Sequence, residues 1–290
     1  MPDHNMPRVA LATYRALPDL DDDGQLILAG LRARGVDAEA CVWDDPQIAW
    51  RDFDLVLLRS VWDYHRRWED FAGWLARLPR LVNSRSVVQW NADKRYLQDL
   101  AQAGVPVVPT TYVAPGAGFD SGRLGVSDDV VVKPSVSASA HDTTRCATAT
   151  SAETAVLQIT RSGRTALVQP YFAAVDTLGE VSLVFLGGRF SHAFRRAPRL
   201  RLDRDHPLPN RTEPTTASPA ELDVAQSALR AAPEPVSYAR VDLLPDADGT
   251  PVLSELELIE PGLRLDLAPP AALDRLVDSV ERQARARLDS

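Results

Sequence analysis

The chain has 290 residues, 45% of them hydrophobic and 25% charged, enough for one large or two to three modest globular domains. A formal net charge of -8 gives no overall positive field for nucleic acid, so a polyanion partner is excluded, although a local basic patch could still grip a nucleotide. The N-terminus has no basic region followed by a long apolar one, no stretch reaches the ~18 apolar residues of a membrane span, and Cys41 and Cys146 have no partners at metal spacing. The sequence reads as a cytoplasmic protein with no membrane partner, zinc site or disulfide framework.

The opening segments RVALAT, LILAGLRARG, DAEACVW and FDLVLLRS alternate strands with amphipathic stretches and predict parallel βαβ units. Ligands of an open parallel sheet sit beyond the carboxyl ends of its strands, so Arg59, Ser60, Trp62, Asp63 and Tyr64 form a candidate substrate loop. The alternative is a structural loop in which Trp62 and Tyr64 pack and Arg59 pairs with Asp63. A helix is expected from Asn91 or Asp93 to Ala103, stopped by Gly104 and Val105-Pro106, with Lys94 in its first turn. A Pro/Gly-rich connection then leads to the strand DVVVKPS, the loop SVSASAHDTT, a helix over Ser151 to Thr160 and the strand TALVQPYF. A third region follows, with strands GEVSLVFLGG and RFSHAFRR, an Arg/Pro-rich loop to about Pro219 and a helix through Leu229. Two further strands and a closing helix from about Ala271 complete it.

Of the 32 cationic residues, only Lys94 and Lys133 are lysines. An arginine-rich codon bias explains scarcity, but not placement. A lysine presents a compact point charge where arginine presents a planar fork, and Lys133 ends an apolar run. A snorkelling lysine is the alternative for that position. In YARVDLLPDADGTPVLSELELIEPGL, Asp246 to Gly249 predict a hairpin turn. Arg240 and Asp242 then share one face of the first strand, and Glu255 and Glu257 one face of the second. Oxygen ligands in such an array suit Mg²⁺ shared with substrate phosphates, with Glu260 a further candidate ligand. The alternative is a solvent-facing ladder of ion pairs.

The ordered series NADKRYL, VVVKPS, LVQPYF, GEVS, FRRAP, RVD and SELELIEPG resembles the ATP-grasp superfamily from about Asn83 to Arg264. The resemblance implies an α/β fold, α+β in its ATP-binding part. It comprises an N-terminal parallel-sheet substrate domain (1–90), a central lid domain (91–168) and a C-terminal ATP- and Mg²⁺-binding domain (169–290). By analogy with D-alanine ligase and glutathione synthetase, Lys94 and Lys133 hold phosphates. Gln169, Pro170 and Tyr171 hold adenine, Glu180 the ribose, and Arg196 a phosphate, while Asp242, Glu255 and Glu257 carry magnesium. Lys94, Lys133, Arg196 and Arg240 serve catalysis, and Arg264 joins the substrate contacts. Glu257 stands where the superfamily usually has asparagine, and the lid loop offers Ser135, Ser137 and Ser139 where relatives use glycine. The wording of WDD, LLRSVWDY and ELELIEPGL looks closest to the branch containing the D-cycloserine-forming cyclo-ligase, which closes the ring of O-ureido-D-serine. The resemblance therefore implies an ATP- and Mg²⁺-dependent carboxylate–amine ligase of antibiotic biosynthesis that works through an acyl phosphate on a small amino-acid-like substrate. A homodimer is compatible with it. An intermolecular amide or peptide ligase, a small-molecule kinase and a non-catalytic nucleotide binder are the rival readings.

Overall fold

The computed structural model describes residues 6–119, 129–197, 200 and 212–286. Part of the expected Pro/Gly connection (120–128) and most of the expected Arg/Pro-rich loop (198–199 and 201–211) lie outside the described residues.

The N-terminal region is the expected parallel sheet. Strands β1 (Arg8–Thr13), β2 (Asp37–Val42), β3 (Leu55–Ser60) and β4 (Leu81–Val82) stand in the order β2-β1-β3-β4, every neighbouring pair parallel. Strand β3 is buried along its whole length, which is why it reads as a continuous apolar run rather than an alternating one. Helix α1 (Asp22–Ala33) starts where the Asp21 carboxylate accepts the Gly24 N–H at 3.0 Å, with Asp22 and Asp23 in its first turn and Arg32 in its last. Its apolar stripe of Ile27, Leu28 and Leu31 packs against Leu276, Val277 and Val280 of the closing helix. Each such side chain contributes about 1.5–3 kcal/mol on burial.

A single helix over Asn91 to Ala103 does not form. There are two, α3 (Arg85–Ala92), which follows α2 (Trp68–Leu75), and α4 (Tyr96–Gln102), and Lys94 sits in the break between them. Asp93 causes the break. Its backbone is extended (φ -106°, ψ 118°) and its carboxylate takes the Arg95 N–H at 3.0 Å. The Lys94 N–H is thereby freed to donate to the Ser135 carbonyl at 2.7 Å.

The central region is an antiparallel sheet of β5 (Thr111–Val113), β6 (Val130–Pro134), β7 (Thr144–Cys146) and β8 (Ala166–Pro170), in the order β5-β8-β6-β7. Helix α5 (Ala149–Arg161) covers it, begun by a reciprocal Thr148–Ser151 capping box. Strands β5 and β7 were absent from the sequence reading because each is three residues long and too short to show a period.

After a short helix α6 (Val175–Leu178), the C-terminal region forms a five-stranded antiparallel sheet. Its members are β9 (Glu180–Leu186), β10 (Arg189–Arg196), β11 (Thr212–Thr215), β12 (Tyr238–Pro245) and β13 (Pro251–Glu257), in the order β11-β10-β9-β12-β13. Helices α7 (Pro219–Arg230) and α8 (Ala271–Arg285) flank it. The expected hairpin joins β12 to β13. The Asp246 carboxylate accepts the N–H groups of Asp248 and Thr250, and Gly249 takes the left-handed conformation (φ +79°). Two segments pack beyond their own region: α4 shares a core with β9, β12 and β13, and α8 shares one with α1.

Candidate active site

The three regions meet around a cleft of about 360 Å³. Strand register builds its charged wall. Arg240 is opposite Glu257 and Asp242 opposite Glu255, so all four side chains of the β12–β13 pair lie on one face, as their spacing predicted. Strand β9 runs beside β12, and the Ser182 hydroxyl donates to Asp242 at 2.7 Å. Gly179 turns the chain into β9 with φ +73°; a Cβ there would lie 2.6 Å from the Arg196 carbonyl oxygen. Glycine at 179 is what allows Glu180 to stand opposite Arg196.

These groups are ion-paired along the cleft, with Asp242, Arg240, Arg196 and Lys133 buried and Glu180, Glu255 and Glu257 half-buried, so they do not form a solvent-facing ladder. The Arg240 guanidinium donates to both Asp242 oxygens (2.9 and 3.0 Å), to Glu257 and to the Gly262 carbonyl (3.1 Å). Arg196 bridges Glu180 (2.8 Å) and Asp242 (2.9 Å), and Lys133 reaches across from β6 to Glu255 at 2.8 Å. Lys94 donates its ammonium to the Ser137 carbonyl at 2.7 Å. Burial opposes the charge of Asp242, yet Arg196 and Arg240 hold its carboxyl well below the usual range. Burial opposes Glu255 likewise, and Lys133 with Lys94 brings it down to about 2. Burial, joined by the charge of Glu257, pushes Glu260 up to about 8.

The residues expected to hold the nucleotide base lie on β8 and just beyond it. Gln169, Pro170 and Tyr171 line the cleft at the end of β8, where Gln169 donates to the Thr110 hydroxyl at 2.9 Å. Arg145 stacks 3.5 Å from the Tyr171 ring centroid, and the Tyr171 hydroxyl reaches Asp176 at 2.6 Å. Val108, Val131 and Phe172 add apolar wall that the sequence reading missed, since single apolar residues in strands carry no distinguishing signal. Ser137 and Ser139 line the cleft with the lid loop; Ser135 does not. Among the described residues no three His, Cys, Asp or Glu side chains converge to hold an ion as they stand, because Arg240, Arg196 and Lys133 are interposed among Asp242, Glu255 and Glu257. The donor set is nonetheless all carboxylate, and five acids face four cations, which fits a hard divalent ion.

The candidate substrate loop divides. Trp62 and Tyr64 line the cleft, whereas Arg59, Ser60, Asp63 and Arg264 do not. Ser60 donates to Asp21 at 3.0 Å, and Arg264 pairs with its neighbour Asp266 at 2.8 Å. Asp63 accepts from Trp43 Nε1 (2.9 Å) and from Arg67 (2.6 Å). Arg59 is 1% exposed and donates to the Pro261 carbonyl at 2.9 Å; it does not pair with Asp63. Arg59 is one member of a hydrogen-bonding array that has no local signature in the sequence. Six consecutive carbonyls of the turn after β13 each accept from a different side chain: Leu258 from Asn83 (2.8 Å), Ile259 from Tyr238 (2.8 Å), Glu260 from Trp62 (3.4 Å), Pro261 from Arg59, Gly262 from Arg240 and Leu263 from His192 (2.9 Å). The Asp23 carboxylate then accepts the N–H groups of Leu263, Arg264 and Leu265. A buried loop must satisfy every backbone group, and this one does so through side chains from both flanking sheets.

The comparisons agree with this architecture. Residues 9–83 match the family described as the N-terminal domain of D-cycloserine synthetase DcsG. The cycloserine biosynthesis protein DcsG of Streptomyces lavendulae is 34% identical over 287 residues, covering 91% of this chain and 95% of that protein. The crystal structure of D-cycloserine synthetase DcsG superposes with a TM-score of 0.87 at 32% identity, over 96% of this chain and 99% of the other. The fold is shared more widely: D-alanine–D-alanine ligase from Bacillus anthracis complexed with ATP gives a TM-score of 0.70 at 16% identity, over 98% of this chain and 99% of its own. The chain is an ATP-grasp ligase and belongs to the D-cycloserine synthetase family.

Proposed function

We propose that this ligase closes a ring within one amino-acid derivative, of the O-ureido-D-serine to D-cycloserine type, in the cytoplasm. The observation that carries the reading is that one cleft is lined both by Lys94, Lys133, Arg196 and Arg240 and by the aromatic pair Trp62 and Tyr64, which follow strand β3 of the N-terminal parallel sheet. A phosphate-bearing cosubstrate and a small second molecule therefore share one enclosure.

Gln169, Pro170 and Tyr171 would hold adenine and Glu180 the ribose, while the two lysines and Arg196 face the phosphates. ATP would transfer its γ-phosphoryl group to the substrate carboxylate with release of ADP, and the substrate's own nitrogen would then attack the acyl carbon, losing a proton and expelling phosphate. Asp242, Glu255 and Glu257 would hold Mg²⁺, which supplies charge neutralisation on the phosphates. Lys133 is paired with Glu255, and Arg240 with Asp242 and Glu257, so these two cations would lie beside the phosphates, each already held in place by a carboxylate of the cleft wall. Trp62 and Tyr64 exclude water from the reacting end, and orienting both reactive ends of one molecule lowers the barrier by several kcal/mol, on the order of the effective-molarity gain.

The test is ADP release by the purified chain with ATP, Mg²⁺ and O-ureido-D-serine as the single amino-acid derivative. ADP together with a cyclic product supports the reading. ADP that appears only when a separate amine is added would make it an intermolecular ligase, and accumulation of a stable phosphorylated product would make it a kinase.

A further inference from the structure

Five carboxylates face the cleft, and four of them have counter-ions: Glu180 and Asp242 on Arg196, Asp242 and Glu257 on Arg240, and Glu255 on Lys133. Glu260 is the fifth, and among the described residues no cation pairs with it. The two cations whose field reaches it are committed elsewhere, Lys94 to the Ser137 carbonyl and Arg240 to Asp242, Glu257 and the Gly262 carbonyl. Its backbone cannot drift to find another, because its own carbonyl and the two on either side are all held by side chains. Arg59, which donates to the Pro261 carbonyl at 2.9 Å and lies 3.9 Å from the Asp21 carboxylate, is a buried anchor of the turn.

The cleft is thus built with one fixed acid that, among the described residues, lacks a positive partner; it shares the cleft with Trp62 and Tyr64, and its own carbonyl accepts from Trp62. An unpaired carboxylate in a partly desolvated pocket is costly, and the cost is relieved when a cationic ligand group arrives. Resting on the ligase reading above, we propose that Glu260 is a specificity-determining residue whose carboxylate receives the α-ammonium group of the amino-acid substrate. The substrate carboxylate is thereby directed toward the cation cluster of Lys94, Lys133 and Arg240. Asp63, the acid that sequence spacing nominated for this contact, is already shared between Trp43 and Arg67. The upward displacement of the Glu260 carboxyl, to about 8, agrees with a site short of one positive charge.

The experiment compares wild type with Glu260→Gln and Glu260→Asp by steady-state ADP release with O-ureido-D-serine. It also measures inhibition by the same molecule lacking its α-amino group. Glu260→Gln should raise KM for the amino-acid derivative by about tenfold or more, the size of a lost charge-assisted hydrogen bond, with a smaller change in kcat. KM for ATP and the Mg²⁺ dependence should be unmoved, inhibition by the deamino compound should match wild type, and Glu260→Asp should recover part of the loss. An unchanged KM overturns the proposal, as does an equal loss for the deamino compound. A shifted Mg²⁺ requirement also overturns it, by making Glu260 a metal ligand. Absence of ADP release by wild type with this substrate would instead remove the ligase reading on which the proposal stands, so the two failures are distinct.

Discussion

Two stretches of this chain look alike on paper. Arg59 to Asp63 and Arg240 to Asp242 each place an arginine and an aspartate a few positions apart in or just beyond an apolar strand. In the structure the first is framework: Arg59 braces the Pro261 carbonyl and Asp63 ties Trp43 to Arg67. The second is cleft wall, with Arg240 and Asp242 paired to each other while still facing the enclosure. The difference comes from topology. In the β12–β13 hairpin a period of two puts both charges on one face, and the partner strand adds Glu255 and Glu257 opposite them. Beyond β3 the chain leaves the sheet and tightens into a 3₁₀ turn at Tyr64–Arg66, so neighbours in sequence point to different surroundings.

The comparison predicts its largest effect at Asp242. Asp242→Asn should lower kcat by at least about a hundredfold, roughly 2.7 kcal/mol, since the charge is needed where phosphate charge shifts. It should also lower stability by about 3–5 kcal/mol, because Arg196 and Arg240 lose the buried carboxylate they share. Turnover assays and thermal denaturation check the two parts, and wild-type turnover would move Asp242 from cleft chemistry into the framework class. Next in size is Lys133→Ala, which should weaken ATP binding about tenfold, near 1.4 kcal/mol, as measured by calorimetry. An unaltered affinity would reduce Lys133 to a structural partner of Glu255.

How much of this could be read beforehand follows the same division. The hairpin and its facing charges were legible because strand period and turn chemistry are local signals, whereas Gln169 to Tyr171 were marked only by the family resemblance. The carbonyl clamp was not legible, because Asn83, Arg59 and Asp23 act on the backbone of the turn 175 or more residues away in sequence, and nothing in their own neighbourhoods marks them. The helix break at Lys94 was half legible. Asp93 is a turn-former, but the Ser135 carbonyl that accepts the freed N–H comes from the loop after β6, far along the chain. For Arg59 and Asp63 the residue types pointed to a site, and the buried hydrogen bonds that occupy them were invisible.

A loss of stability smaller than that at Asp242 sharpens the framework half. Asp63→Asn should cost about 1.5–3 kcal/mol through its weakened contacts to Arg67 and Trp43, as read from the denaturation midpoint, with KM for the amino-acid derivative unchanged. A raised KM at wild-type stability would return Asp63 to the substrate site.

The smallest effect lies at the seam where the lid loop meets the N-terminal region. His65 is buried, its ring 5.1 Å from that of His141 in the lid loop, and Arg66 and Lys94 add positive field. Burial first, then these charges, brings its imidazole down to about 4 from an ordinary value of 6.5. The unfolded chain therefore binds the extra proton between those two values, and stability falls as pH drops through that window, on the order of 1–2 kcal/mol between about pH 7 and 5. Glu260 runs the other way. Its carboxyl is raised from 4.5 to about 8, so its contribution is intact below the lower value and is lost as pH rises through the upper one. The wild-type profile sums both, and only a difference isolates the histidine. His65→Phe keeps the aromatic packing and deletes the titration, so its stability should exceed that of wild type at pH 5 relative to their difference at pH 7. Parallel profiles for the two proteins across that range would show that His65 keeps its ordinary protonation in the fold, and that the lid seam is insensitive to it.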